Sequence, residues 1–504
     1  FGDVSVSGVN YVNGSAFTAT ITGNQFSSIA TTGADLVILS VQGGARHLTL
    51  SDNRLLNCAP VAASEVTCLL VNVSSVSADY CVDNNLIRNE GQAAVAGARQ
   101  NGILFNFYSS AITTDMFVDL SFRNNTFSLL NANFALLAIQ ALSSTQDEVW
   151  EWRRVVATGN KILLDISSTA GFLAYQNNVS FSFDTINNVA YLSGNPASIV
   201  LPGDNGAHTG YIGGLDFRRF RAQDLSNLST YCNISDNTVE IAGTAAFDGT
   251  GVANWDQNNQ VGIRISKWPK NINIHNNILR GCSLVVKWAY FTPLDAGSPD
   301  PQGGYKILVS GNQVECITEK ANVDISPATG FNTAVGAAAD IITNYVFVTV
   351  SDNHVIGASD STDGAYADLS AALRLWHPVS LAANGMGSDN LKFIWNIKNN
   401  MLLGSVLIVQ NDNDGATGDL SRLSTDTTLS FGGVTMMGNT RWSSSTNLNN
   451  INIAGLNAIA AGAAIGAHQN SVRVCLEKNA VHLGNSPASG AIEGMHGIVT
   501  NLQT

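Results

Sequence analysis

Charge is what this chain has least of. Asp, Glu, Lys and Arg make up 12 % of its 504 residues, about half the share in an ordinary soluble domain. Bases are the scarcer sign, with 25 Lys and Arg against 38 Asp and Glu and a formal net charge of −13. So few bases leave no electrostatic footprint for nucleic acid, and none is expected as a partner. Scarce Glu and Lys argue against coiled coils and helical repeats. No uninterrupted apolar run reaches about 18 residues, so no membrane insertion is expected in this segment. Disorder needs low hydrophobicity and high charge, whereas 45 % of this chain is hydrophobic. The seven cysteines include no Cys-x-x-Cys pair, so zinc ribbons and thioredoxin-like sites lack support. The chain opens at Phe1 with neither an initiator Met nor a signal peptide, which reads as a processed product or a fragment.

Asparagine is abundant instead, with 54 copies. Many fall in one short motif: an apolar residue, one or two small or polar residues, Asn, any residue, then an apolar one. The copies centre on Asn24, Asn53, Asn84, Asn125, Asn160, Asn237, Asn276, Asn312, Asn353, Asn399, Asn439 and Asn479. Asn177 is an out-of-phase candidate. The interval of 77 residues between Asn160 and Asn237 reads as two turns with one degenerate copy. The period is then about 38 residues, as in solenoids.

Around each Asn, apolar and polar residues alternate, as in ILVSGNQVECI (307–317). That is strand periodicity with one face buried. The pattern predicts an all-β, single-stranded, right-handed parallel β-helix of about 12 turns with protruding loops. It would form one continuous domain over 1–504, or a segment of a longer one, and at the strand spacing a rod of about 55–60 Å. The repeated Asn has two jobs to fill. It tolerates the left-handed backbone of a sharp corner. Stacked from turn to turn, its amide both donates and accepts along a ladder. Segments 89–102, 138–150, 195–224, 288–304, 318–340, 358–374 and 380–391, rich in Gly, Ala, Ser and Asp, are the expected loops. In a solenoid such insertions collect on one face, often the binding face.

Six Asn-x-Ser/Thr sequons, at Asn13, Asn72, Asn124, Asn178, Asn227 and Asn233, point to a secreted or cell-surface glycoprotein. Asn124 directly precedes a ladder Asn, so alternation directs it outward. Cys282 and Cys316 fall at similar offsets in successive turns, and stacking would bring them within disulfide range. Cys58, Cys68 and Cys81 cluster within 24 residues and offer one more pair. Burial of the thiols as small hydrophobes is the alternative.

Chemistry is sparser. NDNDGATGD (411–419) spaces Asp412, Asp414 and Asp419 as a calcium loop does, without the closing Glu of an EF-hand. No metal site and no cofactor is otherwise expected. GIRIS (262–266) is similar to the substrate-binding Arg-Ile-Lys strand of polygalacturonases, with Ser266 where Lys belongs. The Asn-Thr-Asp, Asp-Asp and Gly-His-Gly elements of that family are missing, so Arg264 is expected on a rung facing solvent. A glycosidase needs two carboxylates across one bond, and no local cluster supplies them. FRRFR (217–221) is the one basic cluster, expected to pair with Asp216 and Asp224, and Trp150 and Trp152 are expected to pack within the rungs.

ISDNTVEIAG, FRNNTFSLL and IHNNILRGC resemble the Asn-studded β-helical ectodomains, pectate-lyase-like in fold, of large protist surface glycoproteins such as the trypanosomatid dispersed gene family. The resemblance extends over the repeat pattern of the whole chain. It implies an adhesive or structural role at the cell surface and carries no catalytic residues. Open solenoid ends expose unpaired strands and normally need caps. Without a cap, head-to-tail stacking gives a filament. A short strand within Phe1–Val12 would act as a plug and weaken that inference. The sequence thus leads to an extracellular structural or adhesive protein whose partner is itself, with glycans or cell-surface receptors as further partners. The alternatives are a carbohydrate-active enzyme on the same fold and a non-catalytic glycan-binding module.

Overall fold

The computed structural model describes thirty-seven strands and the corners at 23–24, 52–53, 57, 84–85, 124–125, 159–160, 230, 236–237, 276–277, 281–282, 311–312, 352–353 and 399–400. These strands form three parallel sheets of 13, 12 and 12 strands. Each turn of chain contributes one strand to each sheet in order, and each strand pairs with its equivalent one turn on. The chain is a parallel β-helix. One turn runs through Ser283–Trp288, Tyr305–Ser310 and Gln313–Cys316, and the next through Ala321–Pro327, Asn344–Ser351 and His354–Gly357.

Strict alternation makes the core. In the second sheet, Val82, Phe122, Ala157, Ile234, Ile274, Val309, Val350 and Ile397 stand in register and are all buried. In the third, Ile87, Phe127, Ile162, Val239, Leu279, Val314 and Val355 do the same. β-Branched side chains pack well in such columns, and each buried aliphatic contributes roughly 1.5–3 kcal/mol. Aromatics take the wider places. Tyr80 stacks on Phe105 at 5.5 Å, and Trp152 meets Phe217 edge-on at 6.5 Å. Trp152 is thus a rung-packing residue, as expected, and burial pushes the Tyr80 hydroxyl pKa well up.

Two expectations change. The repeat unit has three strands, not two around an Asn corner. Two of the expected loops contain whole first-sheet strands, Ile212–Arg218 and Ala321–Pro327, and three more run into Arg99–Tyr108, Ala135–Ser143 and Ala371–His377. Their Gly, Ala and polar residues resemble loop composition, and only the backbone pairing marks them as strands. The second change concerns the long interval. Thr158 pairs directly with Ser235, so the second and third sheets cross the 77-residue gap in a single step. Only the first sheet holds two strands there, Gln176–Thr185 and Ile212–Arg218, and Asn177 lies in the former.

Candidate functional site

The amide column lies at the corner between the second and third sheets. Its members are Asn24, Asn53, Asn85, Asn125, Asn160, Asn237, Asn277, Asn312, Asn353 and Asn400, and all but Asn24 are buried. Each donates twice to the Oδ1 of the next. Asn125 reaches Asn160 Oδ1 from its backbone N–H and from Nδ2, both at 3.0 Å. The second Nδ2 hydrogen goes back one turn, as from Asn160 to the carbonyl of Phe122 at 2.9 Å. That carbonyl belongs to the inward column of the second sheet, so the ladder also satisfies backbone that would otherwise be stranded in the core.

The residue before each ladder Asn takes the left-handed conformation: Gly23, Asp52, Asn84, Asn124, Gly159, Asp236, Asn276, Gly311, Asp352 and Asn399. These residue types tolerate positive φ at least cost. The two jobs expected of one Asn are therefore split between neighbours. Asn84, Asn276 and Asn399 are corner residues, exposed, with φ of 57°, 56° and 55°, and the buried amides are Asn85, Asn277 and Asn400. The sequence holds the signal: where the pair is not Asn-Asn, the first residue is Gly or Asp and the second is Asn. Asn439 and Asn479 lie outside the described residues.

Among the sequons, Asn124 is an exposed corner residue with φ of 53°. Asn233 lies mid-strand and half-buried, with its Oδ1 enclosed and unpartnered. Asn72 and Asn178 fall in first-sheet strands, their side chains undescribed. Asn13 and Asn227 lie outside the described residues.

The disulfide expectation is corrected for Cys282 and Cys81: they and Cys232 are not disulfide-bonded, while Cys58 and the Cys68 side chain lie outside the described residues. Gly281, at φ +66°, turns the chain so that Cys282 points into the core, where its thiol donates to the Val239 carbonyl at 3.6 Å, away from any pairing with Cys316. Cys81 points outward and donates to Asp83 Oδ2 at 3.0 Å, so it is not bonded to Cys58 or Cys68. Burial first, then the hydrogen bond and charge of Asp83, push its thiol pKa up to about 11. Asp412, Asp414 and Asp419 lie outside the described residues, and no metal-holding group of three occurs among the described ones.

Two outer faces gather charge. On the second sheet the pairing slips between Val118 and Asp119, which inserts Arg153 as an extra residue opposite them. Such bulges re-aim side chains. Here the bulge sets Arg153 and Arg154 side by side on one carboxylate, Asp119: Arg153 Nε binds Oδ1 at 2.9 Å and Arg154 Nε binds Oδ2 at 3.0 Å. Burial raises the Asp119 pKa, but the hydrogen bonds and charges of the two guanidinium groups outweigh it and hold the carboxyl below its usual value. The hydrogen bond to Asp119 raises the Arg154 pKa in turn. The Arg153 guanidinium also lies 5.9 Å over the Phe117 ring. Asp79, in register with Asp119, adds a second carboxylate that acts on Arg154, and no feature of the separate motifs announced this cluster.

On the first sheet, register sets Asp216, Arg264, Val285, Asp324 and Arg374 in one row. Arg264 is only 5 % exposed and Asp324 is fully buried. Arg264 is therefore on a rung, as expected, but does not face solvent. Phe217 of the basic cluster is core, and Asp216 stands in register with Arg264. Residues 219–221 and Asp224 lie outside the described residues. Arg264 and Asp324 both have partners within the protein, as charges buried in this way require.

Comparison with family models, with curated proteins and with solved structures finds no match.

Proposed function

We propose that the chain is an extracellular structural or adhesive glycoprotein, a rod whose copies associate end to end or side by side. The amide column carries this reading. From Asn24 to Asn400 it runs through ten turns, parallel to the strand-to-strand hydrogen bonds of all three sheets. Polar and apolar side chains alike serve axial continuity. Among the described residues, Val4–Val6, Phe17–Thr22 and Gln25–Ser27, the first strand of each sheet, pair on one side only, so the short strand within Phe1–Val12 is an edge and not a plug. Unpaired parallel edges are templates for another coil. The sequons, with Asn124 exposed at a corner, support an extracellular glycoprotein.

Negative-stain electron microscopy with sedimentation tests the reading. Fibres with an axial repeat near 60 Å, about twelve strand spacings, are the expected result. Dispersed rods of 53.1 kDa would sink self-assembly. A carbohydrate-active enzyme is the second reading, carried by the similarity of GIRIS (262–266) to a polygalacturonase substrate-binding strand. Cleavage of an acidic polysaccharide, lost in Arg264→Gln, would establish it instead.

A further inference from the structure

The second sheet divides its charge unevenly. Acids occur in the strands Ala78–Asp83, Met116–Arg123 and Trp150–Thr158. The next six, from Tyr231–Ser235 to Gly433–Met437, contain no Asp or Glu, although the chain carries 38. At the start of this acid-free stretch, one outward row reads Arg154, Tyr231, Asn271, Lys306, Phe347 in register. Arg154 gives one edge of its guanidinium to Asp119 yet stays 46 % exposed, Lys306 is exposed, and Phe347 is 41 % exposed. The adjacent outward row includes Asn233 and Asn273, side by side and half-buried. In both, the Oδ1 is enclosed and unpartnered.

We propose that this strip binds a linear uronic-acid polysaccharide lying along the coil axis. The strip offers a guanidinium edge, a phenol, three amides and an ammonium, each able to donate, and no carboxylate. Arg154 and Lys306 are three strand steps apart, about 14 Å, with neutral donors and an aromatic ring between them. Separated cations with neutral donors between them suit a polymer that carries carboxylates at intervals and hydroxyls between. Nucleic acid, with a charge every 3.4 Å or so along each strand, calls for denser bases. The Arg fork suits a planar carboxylate, and Tyr231 and Phe347 offer ring faces to sugars. The strip gives the adhesive reading a ligand and rests on that reading only for its biological role, since binding does not require self-assembly.

The test uses the full chain and fluorescein-labelled hyaluronan oligosaccharides in fluorescence anisotropy, with neutral dextran and poly(dT) as competitors. Hyaluronan is expected to bind, to weaken as salt rises, and to resist both competitors. Lys306→Glu reverses an exposed charge without touching the core and is expected to weaken binding by about tenfold or more, mostly through association rate. Tyr231→Ala weakens it further, while Arg54→Glu, exposed on the third sheet, leaves it unchanged. Failure of hyaluronan to bind, equal binding by Lys306→Glu, or displacement by poly(dT) or dextran overturns the proposal. So does an N-glycan on Asn233 in protein from its native source, because it would lie across the strip. Sedimentation on the same samples reads self-assembly separately, so failure of the rod and failure of the strip remain distinguishable.

Discussion

Asn125 and Asn160 are 35 residues apart, yet two hydrogen bonds of 3.0 Å from the first converge on one oxygen of the second. The same geometry recurs from Asn24 to Asn400, so every interior amide has a donor on one side and an acceptor on the other. A missing member therefore strands groups in both neighbouring turns.

Asn160→Ala removes the acceptor of the backbone N–H and of one Nδ2 hydrogen of Asn125, and the Nδ2 donor to the Phe122 carbonyl. At about 1–3 kcal/mol for each buried group left unsatisfied, the expected loss is roughly 3 kcal/mol or more. Asn24→Ala, at the half-exposed end of the described column, is expected to cost less than about 1 kcal/mol. Urea unfolding of both variants measures the difference, and equal losses would show that the ladder adds nothing beyond the sheets.

The corner position tolerates a different set of residues. Asn84→Gly is expected to be neutral or slightly stabilising, and Asn84→Val to cost about 1–2 kcal/mol, because a side chain branched at Cβ resists positive φ. Gly281→Ala is expected to be worse, since a Cβ there collides with the Ile241 carbonyl oxygen. Gly23→Ala has open space and meets only the backbone strain. Thermal melts of the four variants give the order, and a destabilised Asn84→Gly would refute the division of labour within Asn-Asn pairs.

Cys81 is expected to resist alkylation. With its pKa near 11, the thiolate is scarce at pH 8, so iodoacetamide labelling of the native chain stays slow and accelerates only as pH approaches 11. Asp83→Asn removes a hydrogen-bonded anion that raises the pKa and is expected to speed labelling at pH 8. Mass spectrometry of the labelled peptide reads both effects. The same peptide map of unreduced protein is expected to show no Cys282–Cys316 linkage.

Asp119 ties stability to acid. Its folded pKa lies below its unfolded value, so its contribution is complete above the unfolded pKa, about 3.9, and is lost as pH falls through the folded one. The gap in midpoint temperature between wild type and Asp119→Asn is therefore expected to hold constant above about pH 5 and to narrow below pH 4. A constant gap down to pH 2 would mean that the two guanidinium groups do not hold the carboxylate in solution.

The sequence by itself determined the architecture. The Asn motif and the alternation around it fix the second and third strands of each turn, because both are local patterns of residue type. Within Asn84-Asn85 the two side chains are identical, so the pair alone does not say which goes inside; the Gly-Asn and Asp-Asn copies carry the hint, and the left-handed turn at the first position points the second into the core. The first-sheet strands needed pairing to be seen, since Arg99–Tyr108 and Ala321–Pro327 resemble loops until neighbouring turns satisfy their backbones. Cys282 faces inward through one glycine's φ. The candidate sites were the least legible part. Asp119, Arg154, Tyr231 and Lys306 lie in four different turns, and it is register, a property of stacked turns, that sets them in one row.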